Sequence, residues 1–203
     1  FTESGKYSVK SGYRVETLFP DKAHDLVPYG PNIKPLLAFC WKLKCPPKLR
    51  HFVWQVLSCT ISVSKNLRSR EINCDTRCSI CGAEEESVNH ALFECPPVLQ
   101  TSALSKIPSA PGVFPTNSVF TNMDYLFWRL PKEHDFSNFP WIMWYIWKNR
   151  NNKVFNNRDG NPQEILRYAE VESEVWAEAQ TTIPKKNKFW AHKTLNGKHR
   201  DSQ

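Results

Sequence analysis

Cys78-Ser79-Ile80-Cys81-Gly82-Ala83-Glu84-Glu85-Glu86-Ser87-Val88-Asn89-His90-Ala91-Leu92-Phe93-Glu94-Cys95 is the stretch that organises this chain. It reads Cys-x2-Cys-x8-His-x4-Cys. Zinc takes four nitrogen or sulfur ligands in a tetrahedron. Cys78 and Cys81 supply two sulfurs from one tight turn, and Gly82 follows them. The other two ligands, His90 and Cys95, must return on a separate element. Ser87 suits the N-cap of a short helix carrying His90, and Pro96-Pro97 is expected to stop that helix just past Cys95. Four protein ligands fill the shell and leave no place for a reactive water, so the site is expected to hold one structural Zn2+. The competing reading is a set of unrelated buried thiols beside a satisfied histidine, and Cys74 competes with Cys78 as a ligand. The remaining cysteines, Cys40, Cys45 and Cys59, are expected to be small core residues.

Working outward, the segment 78–95 carries Glu84, Glu85, Glu86 and Glu94 and no Lys or Arg. A zinc knuckle that grips phosphates itself would be basic. The basic residues lie just before it: Lys42, Lys44, Lys48, Arg50, Lys65, Arg68, Arg70 and Arg77 against Glu71 and Asp75, a local net of +6. Pro46-Pro47 predicts a helix start, and Leu49, Phe52, Val53, Val56 and Leu57 recur at helical spacing. Trp54 falls off that stripe and must pack on a second surface or meet a partner. A second helix is expected from Ser62 or Ser64 to about Arg70. Lys48, Arg50, Lys65, Arg68 and Arg70 are the candidate nucleic-acid contacts; an ordinary solvated basic face is the alternative.

These residues carry a family resemblance. Trp41, Pro47-Lys48, Phe52-x-Trp54, Leu67-x-x-Arg70, Cys78-x-x-Cys81 and Glu86-x3-His90-x-x-Phe93-x-Cys95 resemble the zinc-binding region of plant non-LTR (LINE-type) retrotransposon reverse transcriptases. Gly5-Lys6-Tyr7-Ser8-Val9-Lys10-Ser11-Gly12-Tyr13 resembles the stretch leading into it. Trp144-x-x-Trp147-Lys148-x-Arg150-Asn151 with Val154-Phe155 resembles the helix between that region and a ribonuclease H domain. Polymerase chemistry needs paired aspartates for two metal ions. None of the seven Asp here is adjacent to another, and there is no Tyr-x-Asp-Asp. The resemblance thus implies a non-catalytic connecting piece rather than an enzyme.

The rest of the chain fits a mainly α fold: a small zinc-stabilised helical domain with a Cys-x-x-Cys knuckle, then a Pro-rich linker and a helical C-terminal region. The expected divisions are 1–35 extended or loop, 36–98 zinc-binding domain, 99–138 linker, 139–183 helical, and 184–203 a basic, disordered tail. Seven of the 15 prolines fall in 96–140, and a short helix is expected near Met123–Trp128. Trp141, Trp144 and Trp147 at helical spacing predict a buried face, with stacking on single-stranded bases as the alternative. Lys148, Arg150, Lys153 and Arg158 suit the end of that helix or phosphate contact. Asn161-Pro162-Gln163-Glu164 begins another helix, with Ile165, Tyr168, Ala169, Val175, Trp176 and Ala179 inside and an acidic outer face of Glu170, Glu172, Glu174 and Glu178.

The whole chain has 203 residues and a net charge of +7. Only seven glycines are present, and no Gly-x-Gly-x-x-Gly or Gly-x-x-x-x-Gly-Lys-Ser/Thr run, which excludes the nucleotide-binding classes built on those loops. No apolar run reaches membrane length, and no leader precedes the first residues, so no membrane partner is expected and no small-molecule substrate is evident. Phe1 in place of Met suggests a piece of a longer protein. The odd number of cysteines argues for reduced thiols and an intracellular setting. The Lys-rich end suits nuclear import. The function expected is an accessory domain contacting RNA or single-stranded DNA, with the polymerase and nuclease domains of a parent polyprotein as neighbours. The alternative is a structural connector or protein-interaction module whose zinc serves folding only.

Overall fold

The computed structural model describes residues 30–131 and 137–182. The expectations for residues 1–29 and 184–203 lie outside the described residues. Among the described residues seven α-helices run in order: α1 Ile33–Cys40, α2 Pro47–Leu57, α3 Ser64–Ser69, α4 Pro96–Leu104, α5 Val119–Asp124, α6 Phe139–Asn156 and α7 Pro162–Thr182. Two π-wound turns, His90–Glu94 and Tyr125–Arg129, lie between them. No strand forms among the described residues, so the mainly α class holds.

The local signals explain most helix starts. Asn32 caps α1 through Lys34 N–H, Pro47 opens α2, and Ser118 caps α5. The Asn161 side chain accepts from Gln163 N–H at the start of α7. Asn157 ends α6 in the left-handed conformation, which asparagine tolerates better than most residues. Pro96-Pro97 behaves differently from expectation. It ends the His90 turn but also opens α4, because proline lacks only an N–H that the first helical turn does not use.

All five stripe residues of α2 are buried. They face α6, where Trp144 meets Phe52 edge-on at 5.2 Å and Trp147 lies 6.4 Å from the same ring. Trp54 finds its second surface within the chain, stacked on His51 and 6.4 Å from Trp41. Helix α7 packs along α6 and also against α4. Its inner residues are Ile165, Leu166 and Ala169, with Trp176 set against Trp141 at 5.7 Å. Tyr168, Val175 and Ala179, expected inside, are exposed. A helix against two others on one side covers a narrower stripe than the sequence period offers.

The proline-rich stretch is a connection with short helices, and it is packed. Val119, Met123 and Leu126 are buried, and Phe114 stacks on Tyr125 at 4.8 Å. Asn122, fully buried, donates to the Asn89 side chain and to Thr116 C=O, and accepts from Thr116 N–H. This amide network fixes the connection onto the helical turn that carries His90. Of the bystander cysteines, Cys40 and Cys45 are core residues as expected. Cys59 is exposed instead, because it leaves α2 with φ 51° and so turns away from the buried stripe.

Candidate metal centre

The loop from Thr76 to Glu86 is closed by its own backbone. Glu86 N–H donates to Thr76 C=O, Cys78 N–H to Ala83 C=O, and Gly82 N–H to Cys78 C=O, each at 2.8 Å. Gly82 has φ +77°, a conformation costly for residues with a Cβ. That turn points both Cys78 and Cys81 toward the next element. Ser87 Oγ accepts from His90 N–H at 3.0 Å, so the expected cap forms. The π-wound turn that follows sets His90 and Cys95 on the side facing the knuckle.

The ligand atoms of Cys78, Cys81, His90 and Cys95 all lie within 4.8 Å of one another. Cys78 Sγ is 3.9 Å from Cys95 Sγ, and Cys81 Sγ is 3.3 Å from His90 Nε2. A tetrahedral zinc with Zn–S of about 2.3 Å and Zn–N of about 2.0–2.1 Å would require edges of about 3.8 Å and about 3.6 Å. The donor set and its spacing therefore fit Zn2+. Cys74, the competing ligand, turns away, its thiol directed at Ser64 C=O.

Electrostatics agree. The hydrogen bond from Cys95 holds the Cys78 thiol well below the ordinary thiol range. The backbone N–H groups of Cys81 and Ile80, and His90, add to this. Cys95 moves the other way, chiefly through that same bond to Cys78, then by burial. A divalent cation held by Cys78, Cys81, His90 and Cys95 would take the place of that hydrogen bond and stabilise the sulfurs as thiolates.

Residues 7–101 match the family of zinc-binding regions in reverse transcriptases. A relative from Arabidopsis thaliana, named "Putative ribonuclease H protein", is 26% identical over 161 residues, covering 76% of this chain. The chain spans about a quarter of that relative's length, 24%. No solved structure matches.

Of the four acidic residues between Cys78 and Cys95, one is buried. Glu86 is 1% exposed and Arg150 of α6 is 6% exposed. Arg150 Nε donates to Glu86 Oε1 at 2.8 Å, and Nη2 donates to Oε2. Glu86 Oε2 also accepts from Ser64 N–H at 3.0 Å and from Ser64 Oγ at 3.1 Å. One carboxylate thus caps α3, where the helix dipole favours negative charge, and neutralises a buried guanidinium. Glu85 pairs with Lys65 at 2.7 Å, and Glu94 accepts from Asn89.

The five candidate nucleic-acid residues are placed as follows. Lys48 Nζ sits 4.4 Å above the Trp144 ring. Arg50 donates to Trp41 C=O and is half-buried. Lys65 reaches Glu85, Arg68 reaches Asn73, and Arg70 reaches Thr60 C=O. Of the five, Lys48, Lys65, Arg68 and Arg70 are exposed and Arg50 is half-buried, yet each of the five also has a partner within the chain. Glu86 and Arg150 are not joined as a pair by anything in the sequence. Both belong to motifs that carry the family resemblance, and their types are visible, but nothing local links residues 64 positions apart.

No described helix is long and apolar enough to cross a membrane.

Proposed function

We propose that this chain is a non-catalytic accessory piece of a LINE-type reverse transcriptase, held by one structural Zn2+ on Cys78, Cys81, His90 and Cys95, that contacts RNA or single-stranded DNA. The carrying observation is the four-ligand cluster inside a segment matching a zinc-binding, not a catalytic, family. Zinc here supplies folding energy and presents no open position for chemistry. Nucleic-acid contact rests on the solvent-facing Lys48, Lys65, Arg68 and Arg70, with Arg50 beside them on α2. The name of the Arabidopsis relative supports a ribonuclease H domain, and the family match a polymerase domain, as neighbours in a longer protein; the Lys-rich end of the sequence suits work in the nucleus.

The test is a titration of labelled single-stranded RNA into the full chain at two salt concentrations. Neutralising Lys48, Arg50, Lys65, Arg68 and Arg70 to Gln should lower the salt slope by about 0.7 for every phosphate that the variant no longer neutralises. An unchanged slope would refute these residues as contacts.

One observation favours a second reading, a connector whose zinc serves folding. The buried Glu86–Arg150 pair ties the knuckle to α6, and a strut between two catalytic domains needs that stiffness. In that case the neutralised chain binds as the original does, and binding to a neighbouring domain is insensitive to salt.

A further inference from the structure

A groove of about 580 Å³ opens where the end of α6 meets the start of α7. Its lining includes Tyr145, Lys148, Asn152, Phe155, Arg158 and Tyr168. None of these belongs to the metal centre or to the basic residues of α2 and α3. Phe155 is 77% exposed, an unusual setting for a phenylalanine. Tyr168, 47% exposed, stacks on Tyr145 with ring centres 5.7 Å apart and planes 16° from parallel. Lys148 Nζ lies 4.4 Å from the Tyr145 ring, and the Arg167 guanidinium 4.9 Å from the Tyr168 ring. Arg158 is exposed and pairs with no side chain among the described residues.

The walls are built in advance of any ligand. Asn157 takes the left-handed conformation, Lys153 holds Asp159 at 2.8 Å, and Asn161 caps α7. Gly160 lies so close to Asn149 that a Cβ would stand 1.8 Å from Asn149 Oδ1. The loop between the helices is therefore seated on α6. Of the two carboxylates in the lining, Asp159 is already paired and Glu164 sits in the first turn of α7, where its charge favours the helix.

Enclosed sites for small molecules are mostly apolar, and protein interfaces centre on a contiguous apolar patch depleted of charge. This groove is open, and Lys148, Arg158, Asp159 and Glu164 put charge among its apolar lining. Exposed ring faces, side-chain amides and an exposed guanidinium are what single-stranded nucleic acid requires: stacking platforms, hydrogen bonds to base edges and phosphate contacts. We propose that the α6–α7 groove binds single-stranded nucleic acid, with a base stacked on Phe155 and phosphates held by Lys148 and Arg158. The proposal rests on the reading above that the chain contacts nucleic acid, and it assigns a second surface for doing so.

The test uses the full zinc-loaded chain with labelled oligouridine, the matching oligodeoxythymidine and a duplex. Phe155→Ala should weaken single-strand binding about 5- to 100-fold, the range spanned by loss of one stacked base. Arg158→Gln should lower the salt slope by about 0.7. Because both side chains are exposed, zinc content and circular dichroism should match the unaltered protein. Tighter binding of RNA than DNA would identify RNA as the ligand through its 2′-hydroxyl; equal affinities would assign the site to single strands of either sugar. The proposal is overturned if both variants bind as the original does. It is equally overturned if Phe155→Ala abolishes capture of a protein partner or self-association while leaving nucleic-acid affinity intact. Loss confined to the α2–α3 neutralised chain would keep the earlier reading and reject this groove. Absence of binding by the unaltered chain at low salt would reject both.

Discussion

Replacing Arg150 by Ala should destabilise the whole protein, although Arg150 touches no zinc ligand. Glu86 is 1% exposed, and its carboxylate has four donors: two from the Arg150 fork and two from Ser64. Removing the fork leaves a buried anion with only the neutral Ser64 donors. Breaking a buried pair on one side costs about 3–5 kcal/mol. For a domain of this size each kcal/mol shifts Tm by about 2–4 °C, so the melting point should fall by about 6–20 °C. The double replacement Glu86→Leu with Arg150→Met removes both charges. Its main loss is the cap on Ser64 N–H, about 0.5–2 kcal/mol. It should therefore be more stable than Arg150→Ala alone. Urea unfolding followed by tryptophan fluorescence, at saturating zinc, measures both. Trp144 and Trp147 lie on the α2–α6 interface and report its loss. An Arg150→Ala protein within about 1 kcal/mol of the original, or a double variant no better than the single one, would refute the reasoning.

Chelation of zinc should unfold the chain well beyond the knuckle, because structural zinc contributes on the order of 10–16 kcal/mol and Cys78 and Cys95 sit in the same core as Leu92 and Phe93; one zinc per chain by mass spectrometry, lost in Cys78→Ser or Cys95→Ser, together with loss of helical dichroism, is expected. Burial pushes the Cys40 and Cys45 thiols up to about 11. Their folded values lie above the unfolded value of about 8.5, so stability is full below that pH and declines as pH rises toward 11, because only the unfolded chain ionises there. In alkylation at mildly alkaline pH the exposed Cys59 should react before either of them.

What could be read along the chain was whatever is local. The α2 stripe from Leu49 to Leu57, the cap at Ser87, the opening of α7 at Asn161 and the Trp141–Trp147 run each involve residues within a few turns of one another. Period and capping chemistry suffice for these. Reading failed where the partner is remote. Tyr168 and Val175 keep helical period, but only a neighbour's width decides that they stay outside. Cys59 looked like its buried siblings until a left-handed residue at the end of α2 turned it outward. Asn89 and Asn122 carry no sequence signal as a pair, yet they fasten the proline-rich connection to the helical turn of His90.

By itself the sequence determined the helical class and the four residues of the metal cluster. Ligand spacing within a knuckle and a single helical turn is a short-range property, set by backbone geometry. Tertiary structure alone decided what the charges do. Glu86 reads as one more acid on a surface loop and Arg150 as one more base near a helix end. A charge has a different role in water and in a core, and which of the two it meets depends on a partner 64 residues away.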